Sequence, residues 1–177
     1  SKGQVVSDYI DANMGGGFIG FTHENKLILG RMSKQQAINT GYRDAVEFGP
    51  YLIVNGKRSF IRGNGGWGIA PRSVIGQRKD GIVLFLVVDG RTATKPGADM
   101  DDLIEILQNY GAYNAANLDG GQSSTLIVEN KLYNKLKCYS PNPKKEPMEL
   151  SGCFVRYSYA YILCDVGRSR EAIEIID

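Results

Sequence analysis

Apolar and polar residues alternate along most of the chain, and this pattern predicts a protein built mainly from β-strands. The candidate strands are residues 25–30, 50–57, 81–90, 124–134 and 154–165. Residues 82–88 are apolar at every position, so we expect a central strand that is covered on both faces. In the stretch "TLIVENKLY" we expect a hairpin whose tip lies near Glu129 and Asn130.

Two segments carry the period and the end signals of α-helices. The stretch "MSKQQAIN" has Ser33 as an N-cap, Gln36 at the capping-box position and Gly41 as a stop. The second helix is predicted over 99–110, with apolar residues on one face, acidic residues in its first turn and Gly111 at its end. This helix connects the strand at 82–88 to the stretch "AYNAANL", and such a unit favours parallel strands with a right-handed crossover.

Together these elements predict an α+β fold in which a mixed, twisted β-sheet is flanked by helices. A chain of 177 residues is long enough to bury one hydrophobic core. We therefore expect a single domain over residues 1–165, followed by a charged C-terminal tail at 166–177.

Composition and charge exclude several classes of function. The net charge is +2 and the basic residues are scattered, which argues against a nucleic-acid partner. No apolar run is long enough to span a bilayer, so we expect no membrane insertion. Three irregularly spaced cysteines fit neither a disulfide framework nor a zinc site. We predict no metal and no cofactor, and a divalent cation held by Asp89 and Asp119 is the weakest reading that stays open.

Two candidate strands end in an aspartate followed by glycine. They are "VVDGR", with Asp89 and Arg91, and "NLDGGQSST", with Asp119, Gly120 and Gly121. If the strands are parallel, the two carboxylates emerge at one sheet edge, where ligands bind. Paired carboxylates can divide acid and base roles, arginines suit phosphate, and backbone N–H groups at glycines can bind anions. Taken alone, each Asp-Gly step also fits a turn or a helix N-cap.

Three further segments have simpler explanations. Asp80 in "KDG" joins two candidate strands and is predicted to be a turn. The single histidine, His23, lies in a polar turn and is predicted to be solvated. The stretch "GNGGWG" (63–68) is a loop and not a phosphate loop, because no Gly-Lys-Ser/Thr follows it. Its tryptophan, Trp67, fits either core packing or stacking on a sugar ring.

Three longer segments taken together resemble the phosphodiester glycosidase family. They are "GIAPRSVIGQRKDGIVLFLVVDGR", "NYGAYNAANLDGGQSSTLIVENKLYN" and "VRYSYAYIL". They match the family's Pro-Arg-Thr with Ile-Gly, its Asp-Gly-Arg and its Leu-Asp-Gly-Gly-Gly-Ser, and these motifs in order make a specific signal. Two positions differ, because Ser73 stands where the family has threonine and Gln122 stands at the third glycine.

The resemblance also implies roles for individual residues. We expect catalysis by two carboxylates, Asp119 and Asp89. The residues expected to bind substrate combine the other motif positions with two nearby hydroxyls: Arg72, Arg91, Asn117, Gly120, Gly121, Ser123, Ser124 and Arg156.

The implied activity is hydrolysis of an α-linked N-acetylglucosamine, or a related sugar, in a phosphodiester or cell-surface glycan. Many bacterial family members are exopolysaccharide biosynthesis proteins, and the implied location is extracellular or in the cell envelope. The alternative is a non-catalytic carbohydrate-binding module that uses the same cleft. The family's early Asn-Gly-Gly-Phe-Phe strand is expected upstream of residue 1, so an N-terminal fragment or a second chain would complete the sheet.

Overall fold

The computed structural model describes residues 1–2, 4–5, 17–121, 124–128 and 131–134. None of the helices among these residues is long and apolar enough to cross a membrane. In chain order the elements are β1 (Gly17–Thr22), β2 (Leu27–Gly30), α1 (Lys34–Asn39), β3 (Tyr42–Phe48), β4 (Tyr51–Val54), β5 (Lys57–Arg58), a glycine-rich turn segment (Arg62–Gly66), β6 (Arg72–Arg78), β7 (Val83–Val88), α2 (Met100–Asn109), β8 (Ala112–Asn117), β9 (Ile127–Val128) and β10 (Lys131–Leu132).

The described strands form two sheets and one hairpin. The main sheet has five strands in the order β5-β4-β8-β6-β7, and the second sheet has the order β2-β1-β3. Every neighbouring pair in both sheets is antiparallel. Strands β9 and β10 pair with Lys131 opposite Val128, which confirms the predicted hairpin. The hairpin's two tip residues lie outside the described residues.

The main sheet is covered by different elements on its two faces. Helix α2 packs on one face, where Leu103, Ile104 and Leu107 join a cluster with residues of β4 and β6. The second sheet packs on the other face, where Phe21 and Leu118 belong to a common cluster. The three layers are therefore helix, sheet and sheet, and the predicted α+β class is confirmed.

Strands β7 and β8 point in the same direction, because each is antiparallel to β6. The helix between them is therefore a crossover connection, as its pattern predicts. The two strands form no ladder with each other, since β6 lies between them. The described strands of both sheets therefore pair only antiparallel, which differs from the mixed sheet that the sequence predicts. The ends of β7 and β8 consequently meet the start of β6 at one edge of the main sheet.

The central position predicted for residues 82–88 differs from the structure. Among the described strands, β7 ends the sheet order with β6 as its neighbour, and Phe85 is 38% exposed. Leu84 and Leu86 face the α2 cluster, whereas Val83 faces the second sheet. The residues of β7 are only half-buried apart from the exposed Phe85, so the described residues do not fully cover the strand on both faces. The apolar run also carries no information about lateral neighbours.

Local end signals correctly predict both helices. The Ser33 side chain accepts from the N–H of Gln36, and the Gln36 side-chain oxygen accepts from the N–H of Ser33. Gly41 follows the helix with φ of +76°. At α2, the Asp99 carboxylate accepts from the backbone of Asp101 and Asp102. Both helices therefore begin at residues that satisfy their first N–H groups.

Tyr51 links the two sheets and gives the fold a pH dependence. Its hydroxyl donates to the Phe18 carbonyl at 3.1 Å, and burial raises the pKa of Tyr51 to about 12. An unfolded tyrosine ionises near about 10, so the stabilising effect is complete below that pH and is lost as pH rises from about 10 to 12. We expect Tyr51→Phe to lower the free energy of unfolding by about 1 kcal/mol at neutral pH. The difference from wild type should shrink above pH about 10 in urea unfolding.

Tyr113→Phe is the matched control, because it also removes one tyrosine hydroxyl from the protein. Tyr113 is in β8, and its ring lies under the Lys79 ammonium. If Tyr51→Phe and wild type lose stability in parallel up to pH about 12, the link between Tyr51 and alkaline unfolding is wrong.

Candidate functional site at the sheet edge

The two candidate catalytic carboxylates follow strands that end on either side of β6. Arg72, the first residue of β6, lies opposite Val88, the last residue of β7. Strand β8 ends at Asn117, which pairs two residues further along β6. Asp89 comes directly after the end of β7, and Asp119 comes two residues after the end of β8. Their segments therefore leave the sheet at the same edge, with the start of β6 between them.

Tight backbone packing around Pro71 holds these two segments together. The Gly121 N–H donates to the Pro71 carbonyl at 2.7 Å. A Cβ atom added to Gly120 would lie 2.8 Å from that carbonyl oxygen, and one added to Gly90 would lie 2.8 Å from the Pro71 nitrogen. Both distances are too short for real side chains, so glycine is required at each position. The bond to Pro71 also removes the Gly121 N–H from the donors predicted to bind an anion.

Arg91 reaches from the Asp89 segment to the Asp119 segment. Its side chain is exposed, and its backbone has φ of +60°. Its Nη2 atom lies 3.3 Å from the position that a Cβ atom on Gly121 would occupy. Gly121 itself has φ of +61°, a conformation that favours glycine. A cationic group therefore lies beside the backbone that follows Asp119.

Arg72 is buried, and much of its guanidinium is bonded to the backbone. The residue is 5% exposed, and its Nε donates to the Ala98 carbonyl at 3.1 Å. Its Nη2 donates to the carbonyls of Trp67, at 3.2 Å, and Gly68. Burial lowers the pKa of Arg72, and the Asp99 charge opposes this effect. These contacts place Arg72 at the edge as a structural anchor, and substrate binding by it stays a prediction.

Asn117 and Ser124 bring buried polar atoms to the same region. Asn117 is 1% exposed, and its Nδ2 donates to the Gly49 carbonyl at 3.1 Å. The Asn117 Oδ1 and Ser124 Oγ atoms are both buried without a hydrogen-bond partner among the described residues. A buried acceptor that lacks a donor costs about 1–3 kcal/mol. The edge therefore contains two buried polar atoms whose hydrogen bonds the described residues do not supply.

Two of the predicted binding residues, Ser123 and Arg156, lie outside the described residues, as does Gln122. In the described ranges no group of three or more histidine, cysteine, aspartate or glutamate side chains could hold a metal ion. The structure adds Pro71 and Gly90 to the edge. Both lie inside motifs visible in the sequence, "APRS" and "VDGR", but their contact depends on strand order.

Two aspartates and two arginines lie at this edge of the main sheet, where β7 and β8 end beside the start of β6. The edge is therefore a candidate site for a polar, anionic ligand. A model of the phosphodiester glycosidase family matches residues 1–147. The chain therefore belongs to the phosphodiester glycosidase family.

Two individual relatives match shorter stretches of the chain. The chain is 34% identical over 103 residues to a SPbeta prophage-derived uncharacterized protein, YomE, of Bacillus subtilis, covering 56% of this chain and 16% of that protein. It is 34% identical over 64 residues to N-acetylglucosamine-1-phosphodiester α-N-acetylglucosaminidase of Bos taurus, covering 36% of this chain and 12% of that protein. The chain thus spans less than a fifth of the length of either relative.

A solved structure has a similar fold. The catalytic domain of the zebrafish N-acetylglucosamine-1-phosphodiester α-N-acetylglucosaminidase, auto-inhibited by its pro-peptide, superimposes with a TM-score of 0.58 at 20% identity. The match covers 68% of this chain and 45% of that chain. This likeness establishes the fold alone.

The packing around Pro71 makes Gly120→Ala a test of the edge. The added methyl group would press on the Pro71 carbonyl, so we expect the free energy of unfolding to fall by about 1–3 kcal/mol in urea. Gly30→Ala is the control, because the described atom nearest to its Cβ is the flexible terminal methyl of Met32. Equal stability of the two variants would contradict the close approach of the Asp119 segment to Pro71.

Proposed function

We propose that this chain hydrolyses a sugar phosphodiester in which the sugar is an α-linked N-acetylglucosamine or a close relative. The observation that carries the proposal is the convergence of the Asp89 and Asp119 segments beside the start of β6, in a member of the phosphodiester glycosidase family. The bovine relative's name supplies the sugar and the bond. A phosphodiester within a cell-surface glycan belongs to the same substrate class.

The two carboxyl groups divide the chemistry in this proposal. One carboxyl group protonates the departing oxygen or stabilises the oxocarbenium-like transition state. The other activates a water molecule or attacks the anomeric carbon directly. Asp119 and Asp89 supply these groups, and the reaction needs no cofactor.

The phosphate is proposed to bind beside Arg91. This arginine is exposed at the edge, whereas Arg72 gives its Nε and Nη2 hydrogens to backbone carbonyls. A guanidinium presents a planar pair of donors that fits phosphate oxygens. Arg91 also lies against Gly121, so a phosphate bound there would be next to the Asp119 segment. With a cell-surface glycan as substrate, the proposed location is outside the cell or in the cell envelope.

Asp119→Asn tests the catalytic role directly. We expect the rate of UDP-N-acetylglucosamine hydrolysis to fall by about 10²-fold or more, because the variant loses an acid, base or nucleophile while keeping its shape. Circular dichroism and urea unfolding should match wild type. Asp80→Asn is the matched control, since Asp80 also precedes glycine but lies in the exposed turn between β6 and β7. Full activity in Asp119→Asn would reject the proposed role.

The same assays separate hydrolysis from binding alone. Calorimetry that shows saturable binding of the sugar phosphodiester to wild type without turnover would favour the carbohydrate-binding module over the hydrolase.

A further inference from the structure

The segment between β5 and β6 carries the protein's single tryptophan on a loop built from glycines. Trp67 is 48% exposed, although tryptophan is usually well buried. Gly63, Gly65, Gly66 and Gly68 all have positive φ in this loop. The tryptophan therefore lies on a backbone whose conformation favours glycine, with about half of its surface exposed among the described residues.

Hydrogen bonds from two side chains fix the loop to the rest of the structure. The Asn64 Oδ1 accepts from the Met100 N–H at 2.6 Å, and the Asn64 Nδ2 donates to the Gly68 carbonyl at 3.1 Å. The Arg72 guanidinium donates to the carbonyls of Trp67 and Gly68. The loop is therefore bonded on one side to the start of α2 and on the other to the start of β6.

Gly65 and Ile61 lie near the indole ring. A Cβ atom added to Gly65 would lie 3.9 Å from Cδ2 of the indole and 3.7 Å from Cγ2 of Ile61. About half of Trp67 is nevertheless left exposed among the described residues. That exposed part is the surface that a planar or ring-shaped ligand could contact.

We propose that Trp67 is a stacking platform for a pyranose ring of the glycan substrate. This inference rests on the proposed function and adds a binding subsite to it. A pyranose has an apolar face of C–H groups that can be buried against an indole, while its hydroxyls remain in water. Because the loop is already held in place, little conformational entropy is lost when the sugar binds.

The connection to the sheet edge runs through Arg72. This one side chain bonds the carbonyl of Trp67, and its own backbone lies between the ends of β7 and β8. Arg72 therefore connects the Trp67 loop to the start of β6, beside which the Asp89 and Asp119 segments lie.

Intrinsic fluorescence tests the platform directly, because the full chain contains a single tryptophan. The probes are UDP-N-acetylglucosamine and a trisaccharide of N-acetylglucosamine. We expect at least one probe to shift the emission saturably and to protect the indole from acrylamide quenching. No change in emission or quenching with either probe, at concentrations up to millimolar, would overturn the inference.

Variants separate this subsite from the catalytic site. We expect Trp67→Ala to weaken binding of the responding probe, measured by calorimetry, by about tenfold, which corresponds to about 1.4 kcal/mol. Trp67→Phe should recover part of the affinity, and it keeps the assay valid if the alanine variant fails to fold. Phe60→Ala is the control, since Phe60 is 93% exposed on the same connection.

The outcomes for the two proposals differ. Hydrolysis with unchanged affinity in both Trp67 variants would reject the platform and leave the hydrolase intact. A saturable response of Trp67 without turnover would reject the hydrolase and keep the sugar platform. For an active enzyme, Trp67→Ala should raise KM with little change in kcat, because the ring binds ground state and transition state alike.

Discussion

The contact of Pro71 with two Asp-Gly segments is the constraint on which the functional edge depends. The backbone of Pro71 lies between Gly90 and Gly120 at distances that leave no room for a side chain on either one. The Gly121 N–H adds a hydrogen bond to the same proline's carbonyl. Backbone therefore packs directly on backbone, and the residues that follow β7 and β8 are held against the start of β6. Such close contacts have little freedom to shift, so they restrain the backbone on which the two neighbouring aspartates lie.

The Arg72 side chain connects the start of β6 to segments outside the sheet. A buried cation is costly unless hydrogen bonds and nearby charge compensate for lost water. Here backbone carbonyls accept from its Nε and Nη2, and Asp99 at the start of α2 contributes a favourable charge. One side chain thereby joins strand, helix and the Trp67 loop. The same bonds occupy the Nε and Nη2 hydrogens of Arg72, whereas the described residue Arg91 is exposed at the edge.

Local signals in the sequence account for the elements that the structure confirms. The capping pairs Ser33–Gln36 and Asp99–Asp102 act within one helical turn, so a short stretch of sequence suffices to locate each helix start. The turn at Asp80 and the hairpin of β9 and β10 are likewise short-range features. Alternation of apolar residues identifies strands because side chains on a strand point alternately to opposite faces.

The sequence by itself determined the α+β class, the helix ends and the two strand ends that carry Asp89 and Asp119. Only the tertiary structure decided that β6 lies between those strands. The order of strands in a sheet depends on backbone hydrogen bonds between distant segments, and these bonds leave no periodic pattern in the sequence. For the same reason the apolar run of β7 did not reveal its place in the sheet. The tertiary structure also decided the exposure of Trp67 and the burial of Arg72. Each depends on residues that the fold brings together from separate parts of the chain.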